Sequence, residues 1–331
     1  MKISVIMPVY NGEKEITTCL DSIYKTKYKD FEVIVVDDCS TDKTPELLKE
    51  LQKKYPFKVI KLKKNSGVSI ARNKGAKNAK GELLYFVDDD TVQKTDNLFK
   101  IHKILKKDKD VDVINVTHHW KSLNKGFGPE FIGLKYYYDY DVAKRKNIKR
   151  LHGSFFQALG GFIPKNIFDE LNGFNENIHL PGGEEFEFGH KLKDHNYKVF
   201  TYPELEVYHY WWTLPKRIKL NYQRAKVWSN LLIKQKSFES KGGIATKKNA
   251  INSLLITSTL ILSLISIPLN THNIPLILSI TYLIYNFDFY KYIFKKTKSL
   301  NFIILSIIAE ILLNLAASLG IGIGLIIKII K

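Results

Sequence analysis

Cysteine is nearly absent from this 331-residue chain, which has only Cys19 and Cys39. Two thiols cannot build a disulfide framework or a metal-ligand cluster, and that poverty suits a reducing compartment. Acids are also scarce, 33 against 51 lysines and arginines, with lysine far outnumbering arginine; the net charge is +18. A basic excess of this kind points to nucleic acid, an anionic membrane surface or anionic substrates. The positive charge lies mostly on a helix and loops beside apolar runs, which disfavours nucleic acid. No signal peptide is expected, because Met1-Lys2 leads at once into a short strand-like run holding Pro8.

From Lys241 onward the only acids are Asp288 and Glu310. Apolar runs fill this part at Ile251–Leu269, Ile274–Phe287 and Phe302–Ile327. The first and third are long enough to cross a bilayer, which needs about 20 apolar residues, and they lack the polar face of a soluble helix. The shorter middle run would use Tyr285, Phe287, Phe289 and Tyr290 as an interfacial belt. Lys247-Lys248 and Lys291, Lys295, Lys296 and Lys298 place their loops in the cytosol by the positive-inside rule, with uncharged Asn270–Asn273 as the outer turn. Lys328 and Lys331 then fall on the wrong side. The last run, with Glu310 inside it and Gly320, Gly322 and Gly324 near its end, either exits or folds back.

The N-terminal part alternates strand and helix patterns. A strand over Ile3–Asn11, stopped by Pro8 and a turn at Asn11-Gly12, precedes a helix over about 14–24. A strand at Phe31–Val36 ends in Asp37-Asp38-Cys39-Ser40-Thr41-Asp42, and a helix follows over about 44–54 with Pro45 in its first turn. A third strand at 57–62 and the turn Asn65-Ser66-Gly67 lead into a helix over 68–79. This alternation predicts an α/β domain with a mainly parallel sheet, whose ligands bind beyond the carboxyl ends of the strands. Asn11, Asp38 and Asp88 all sit at such ends.

The chain is organised around Leu83-Leu84-Tyr85-Phe86-Val87-Asp88-Asp89-Asp90, an apolar run of the buried-strand type ending in three carboxylates. In an extended chain Asp88 and Asp90 would point the same way. Three acids at one strand end repel each other unless a cation sits among them. A hard divalent ion is usually held by one or two carboxylates plus substrate phosphates. The alternative is a solvated acidic loop.

Taken together, Pro8-Val9-Tyr10-Asn11, Asp37 to Asp42, Asn65-x-Gly67-x-x-x-Ala71-Arg72-Asn73, Asp88-Asp89-Asp90, Asn172-Gly173-Phe174-Asn175-Glu176, Gly183-Glu184-Glu185 and His209 resemble, in order and spacing, the family 2 nucleotide-sugar glycosyltransferases of GT-A fold. The resemblance covers about the first 210 residues. It implies a Rossmann-like domain in which Pro8, Val9, Tyr10 and Asn11 flank the nucleotide base, and Asp37 and Asp38 bind it, Asp38 accepting from a ring N–H. Asn65, Gly67, Arg72 and Asp89 would lie around the donor, with Arg72 on a phosphate or in a salt bridge across the crevice. Mg²⁺ or Mn²⁺ would be held by Asp88, Asp90 and His209, with Asp90 the first choice and Asp88 either a ligand or a partner of sugar hydroxyls. Glu185 stands where the family usually has Asp and would be the general base, Glu184 being the second choice. A base facing the leaving diphosphate from across the sugar implies inversion. The other reading of each acid run is turn and helix-cap chemistry.

Trp120, Tyr136, Tyr137, Tyr138 and Tyr140 are aromatic faces for a sugar, a membrane surface or plain packing. Residues 211–236 form a basic amphipathic pattern suited to an anionic leaflet. The expected organisation is therefore a GT-A domain over 1–213 (nucleotide half about 1–115, acceptor half about 116–213), an interfacial helix and linker over 214–248, and membrane helices over 249–331 at about 251–269, 274–290 and 302–327. The function so implied is a multi-pass membrane enzyme with its catalytic domain in the cytoplasm. It would transfer a sugar, from a UDP-sugar by preference, to a hydroxyl of a lipid-linked or cell-surface glycan precursor. A polyprenyl-phosphate sugar transferase and a non-catalytic nucleotide- or glycan-binding scaffold are the alternatives.

Overall fold

The computed structural model describes residues 1–153, 155–178, 182–235, 247–269 and 273–330. The chain divides into two compact units, one made of 1–123 and 140–210, the other of 124–139 and 211–331.

The first unit is built on one mixed sheet. Strands β1 (Ile3–Val9), β2 (Phe31–Asp37), β3 (Lys58–Lys61) and β4 (Leu83–Val87) pair in parallel in the order β3-β2-β1-β4. Every residue of β1 and β4 is buried, as their unbroken apolar runs require of strands covered on both faces. Helices α1 (Ile16–Tyr24), α2 (Thr44–Leu51) and α3 (Val68–Lys77) make the crossovers. Helix α1 turns Ile16, Cys19, Leu20 and Ile23 inward, the helical spacing read from the sequence. These elements agree with the predicted α/β alternation to within a few residues at their ends.

Beyond β4 the sheet changes character. Strand β5 (Thr91–Gln93), helix α4 (Asn97–Lys107) and strand β6 (Val113–His118) follow. Helix α5 (Phe127–Arg145) then begins in residues assigned to the second unit, so 124–139 part from the acceptor half in which the sequence put them. The chain continues through β7 (Leu151–His152), β8 (Gly160–Pro164), α6 (Lys165–Glu170), α7 (Gly183–Asp194) and β9 (Val199–His209). Strand β8 slots antiparallel between β4 and β6, and β9 lies beside β6 with β5 and β7 paired to it. A cluster of Phe86, Phe156, Phe168, Phe174 and Phe188 packs beneath the end of β4, with ring centroids 5.0–5.9 Å apart. It seats α7 on the sheet, so the start of that helix is fixed by core packing.

The second unit is helical. It holds α8 (Leu214–Gln235), α9 (Lys247–Leu269), α10 (Asn273–Tyr285), α11 (Phe287–Thr297) and α12 (Leu300–Ile330). Among the described residues two helices are long and apolar enough to cross a membrane, Lys247–Ser266 and Leu300–Ile327. The middle run differs from the single 274–290 helix read from the sequence. It breaks at Asn286, whose side chain is buried against Asn252 (Nδ2 to Oδ1, 2.9 Å) and donates to the Tyr282 carbonyl. The 13 residues of α10 cover only about 20 Å at 1.5 Å per residue, short of a bilayer core. Ser253 donates to Asn314 (3.0 Å) and Thr257 to Ser318 (2.8 Å), so α9 and α12 run parallel. The Glu310 carboxylate, fully inside the unit, takes two hydrogen bonds from Lys135 Nζ at 2.6 and 2.8 Å. The expected outer turn at 270–272 and the linker over 236–246 lie outside the described residues.

Candidate active site

The loop after β1 and the loop after β2 are sewn together. Asn11, in the left-handed region with φ 55°, accepts the Thr41 N–H on Oδ1 at 2.8 Å and donates its own N–H to Ser40 Oγ. Gly12 donates to Thr44 Oγ1 at 2.9 Å. The two aspartates predicted to meet the base are both buried. Asp37 Oδ1 accepts the Ser40 N–H at 2.8 Å, and its Oδ2 is buried without a hydrogen bond. Asp38 takes the Ser66 and Gly67 N–H groups at 2.7 and 2.8 Å, one on each oxygen. It therefore holds the turn that starts α3, where Gly67 has φ 94°. A base N–H would be a third donor on that carboxylate, within its capacity of about four lone pairs. Pro8 and Val9 are buried in β1, whereas Tyr10 and Asn65 are exposed.

The acids at the end of β4 do not alternate as strand residues would. The strand stops at Val87, and Thr91 donates both its N–H and its hydroxyl to the Asp88 carbonyl. This turn fans the three carboxylates apart. Asp88 accepts Arg72 Nη2 at 2.8 Å. Asp89 packs against Gly12, where any β-carbon would collide with its Oδ2. Asp90 turns to His209, whose Nε2 lies 3.3 Å from Oδ1, within ion-pair range but outside hydrogen-bond geometry. Burial, then the neighbouring aspartates, push the Asp89 carboxyl well above its usual range. Burial also raises Asp90, with His209 opposing it and Asp88 adding to it. So many carboxyls at one sheet edge favour a cation.

The residues fit a divalent ion in a limited way. Among the described residues no three His, Cys, Asp or Glu side chains are gathered as a ligand set. Asp90 and His209 come together, and Asp88 commits one oxygen to Arg72. Two protein ligands with substrate phosphates completing the shell is a normal arrangement for Mg²⁺.

Arg72 is the hub of the other half. It is buried, donating from Nη1 to Glu184 Oε1 at 2.9 Å and from Nη2 to Asp88. Burial opposes its charge, but Asp88, Glu184 and Glu185 outweigh that and hold it protonated. One guanidinium thus joins the end of β4 to the start of α7. Glu184 is consumed by this pair and is 2% exposed, which separates it from Glu185. Glu185 is half-buried, and its Oε1 accepts the Ala158 N–H at 2.6 Å. Burial, with help from Glu184, pushes the Glu185 carboxyl up to about 7. A carboxyl that titrates near neutrality is suited to proton transfer. Gly182, at φ 81°, makes the turn that presents both acids at the helix start; residues 179–181, ahead of it, lie outside the described residues.

Two positions escaped sequence reasoning. Asn115, fully buried in β6, donates to the Phe155 carbonyl (2.9 Å) and accepts the Gln157 N–H (3.1 Å). It fixes the loop whose Ala158 N–H grips Glu185. Its only signal was a polar residue inside the apolar run Val113-Ile114-Asn115-Val116. The ring of buried His118 meets His209 edge-on at 5.5 Å. Asn73 proves to be a clamp. It accepts the Phe174 N–H at 2.9 Å and donates to the Phe174 carbonyl at 2.8 Å, holding a turn in which Asn172 and Gly173 both have positive φ.

A parallel sheet with Asn11 beyond the end of β1 and acids at the carboxyl ends of β2 and β4, extended by an antiparallel strand and a second helix start, defines a GT-A domain. Residues 4–162, just under half of the chain, match the family described as Glycosyl transferase family 2. The poly(ribitol-phosphate) beta-N-acetylglucosaminyltransferase TarS of Staphylococcus aureus is 47% identical over 93 residues, 27% of this chain and 16% of that protein. The glycosyltransferase GlyG of Streptococcus pneumoniae is 30% identical over 190 residues, 56% of this chain and 62% of that one. The chain thus spans less than two thirds of either relative. Among solved structures, the mannosyltransferase PcManGT of Pyrobaculum calidifontis, in complex with GDP-Man and Mn²⁺, superposes with a TM-score of 0.53 at 21% identity, covering 70% of this chain and 63% of that one. That likeness is one of fold.

Proposed function

We propose that this protein is a membrane-attached, metal-dependent, inverting glycosyltransferase acting on a nucleotide-diphosphate sugar, UDP-linked by preference. The observation that carries the proposal is the placing of Glu185. Its carboxyl is oriented by the Ala158 N–H, titrates near neutrality and neighbours the Arg72 bridge to Asp88. As the base, Glu185 takes the proton of an acceptor hydroxyl through its partly exposed carboxylate. Arg72 holds Glu184 in an ion pair, and Glu184 adds to the burial that raises Glu185. Asp90 and His209, with Asp88 beside them, would hold Mg²⁺ or Mn²⁺, which when bound neutralises charge on the leaving diphosphate. Gly12 leaves room for Asp89 at the floor of the donor side.

The acceptor we propose is a lipid-linked or cell-surface glycan precursor. Support comes from the poly(ribitol-phosphate) transferase among the relatives and from the two long apolar helices. Because α9 and α12 are parallel, the lysines at their N-terminal ends, Lys247, Lys248, Lys295, Lys296 and Lys298, lie at the same end of the pair. The positive-inside rule then puts that end in the cytosol, where nucleotide sugars are made.

The test is a screen of nucleotide sugars with the purified full chain, scoring donor hydrolysis or transfer with Mn²⁺, with Mg²⁺ and with EDTA. Metal-dependent turnover of one donor that disappears in Glu185→Gln is the expected result. Turnover unchanged in that variant, or donor binding that ignores both metal and Asp90, counts against the reading.

A further inference from the structure

Helix α11 is held by one face and open on the other. Phe289, Tyr290, Tyr292 and Ile293 are buried. The rings of Phe289 and Tyr292 meet Tyr138 at 5.3 and 5.2 Å, and the Tyr290 hydroxyl shares a hydrogen bond with Tyr282 at 3.0 Å. The opposite stripe is Phe287, Lys291 and Phe294, continued by Lys298 at the C-cap. Spacings of four, three and four residues keep these side chains on one face. Phe287 is 62% exposed and Phe294 41%, and Lys291, Lys295 and Lys298 are exposed beside them. A single exposed ring needs no explanation. Two on one stripe, bordered by lysines, mark a surface that meets something other than water. The place of the helix says what. It joins α10 through Asn286 alone and α12 through Lys298 and Ser299. Lys248 Nζ, at the start of α9, lies 5.6 Å over the Phe289 ring. Helix α11 therefore sits at the end of the unit where both long apolar helices begin.

We infer that the exposed face of α11 docks on the headgroup layer of an anionic leaflet, with Phe287 and Phe294 below the phosphates and Lys291, Lys295 and Lys298 against them. A helix that presents rings and lysines together suits this boundary, where one end of each side chain is apolar and the other wet. The lysine stems lie along hydrocarbon while the ammonium groups rise to the phosphates. Charge selects the occupant. Asp288 is the sole acid of α11, against Lys291, Lys295 and Lys296 within the helix and Lys298 at its end, and a cluster of lysines beside a membrane span favours negatively charged lipids. Continuity selects it too. Exposed apolar residues run along α10 before this helix, at Ile280 and Ile284, and along α12 after it, at Leu300, Ile304 and Ile308. Lysines enter that surface only at α11, which sets the level where hydrocarbon gives way to phosphate. The inference rests on the membrane attachment proposed above and not on the transferase chemistry.

The experiment uses the full chain in a neutral detergent, following thermal unfolding while phosphatidylglycerol or phosphatidylcholine is titrated. Phosphatidylglycerol should raise the wild-type midpoint at far lower concentration than phosphatidylcholine, and high salt should shrink the difference. Lys291→Gln, Lys295→Gln and Lys298→Gln combined should weaken the apparent affinity for phosphatidylglycerol about a hundredfold, at about fivefold for each lysine, and leave that for phosphatidylcholine unchanged. A second readout reports depth. A fluorescent label on Phe294→Cys, in a chain with Cys39→Ser and with Cys19 buried, should be quenched in vesicles of phosphatidylglycerol brominated on its acyl chains. Equal response to the two lipids, a preference undiminished in the lysine variant, or an unquenched label overturns the inference. So does a dimer that dissociates in Phe287→Ser while the lipid preference stays, because the face would then belong to a second copy of the chain. A chain that stays in solution without detergent refutes the membrane attachment itself, whereas one that inserts without the preference refutes the docking face alone.

Discussion

Replacing Glu185 by Gln tests the proposed base with two readouts that move in opposite directions. The carboxyl titrates at about 7 in the folded chain against an ordinary value of 4.5. If Glu185 takes the proton of the acceptor, kcat/KM should fall tenfold per pH unit below 7 and level off above it. At pH 5 roughly a hundredth of the plateau should remain. Glu185→Gln removes the base at nearly constant shape, so activity should drop by about 10² to 10⁴ and the acid limb of the profile should vanish. Stability carries the opposite sign. The folded chain holds a proton on Glu185 that the unfolded chain has lost between about pH 4.5 and 7, so stability falls across that window and stays lower above it. At 1.36 kcal/mol per unit the shift amounts to on the order of 3 kcal/mol. Glu185→Gln, which cannot ionise, should therefore unfold at a higher temperature than wild type at pH 8, with the difference shrinking toward pH 4.5. The assay is donor and acceptor turnover from pH 5 to 9 beside calorimetry in the same buffers. An unchanged acid limb in the variant, or a variant both inactive and less stable at pH 8, refutes the reasoning.

Arg72→Ala should strand Glu184 as a buried, unpaired carboxylate and cost about 3–5 kcal/mol, read as a fall in the denaturation midpoint; a change under 1 kcal/mol would deny Arg72 its role as the tie between β4 and α7. Asp90→Ala should weaken Mn²⁺-dependent donor binding, measured by calorimetric titration, while leaving the unfolding midpoint of the metal-free protein equal or higher, because one crowded carboxylate is gone. Gly12→Ala should reduce donor affinity by pushing Asp89 aside, with the fold intact by circular dichroism. Glu310→Gln should destabilise the helical unit by about 2 kcal/mol, since Lys135 loses its counter-charge but is itself partly exposed; unfolding in detergent reports it.

Much of the first unit could be read from residue order because its signals are local. The buried runs of β1, β2 and β4, the helix faces of α1 and α2, and the acids at strand ends all declare themselves within a window of ten residues. The family resemblance and the α/β class are borne out. What escaped depends on partners distant in the chain. The insertion of β8 between β4 and β6 joins residues about 80 and 50 positions apart, and no local pattern announces it. The alternation expected of Asp88 and Asp90 gave way to the turn closed by Thr91. The resemblance ranks Glu185 ahead of Glu184, but the physical difference lies in partners far along the chain: Arg72, 112 residues away, on Glu184 and the Ala158 N–H on Glu185. The break at Asn286 was masked by the apolar residues around it, because its reason is the amide of Asn252 on another helix.

The paired side chains between α9 and α12 carry a mechanical consequence. Ser253 with Asn314 and Thr257 with Ser318 are rungs one helical turn apart on both helices. Sliding one helix along the other by a single residue would break both rungs at once and leave polar groups facing apolar side chains. The next register that could re-form even part of the set is a full turn away, about 5.4 Å. Such a pair resists gradual shear and transmits axial force as a rigid strut, in a part of the molecule whose apolar surface alone would let the helices glide.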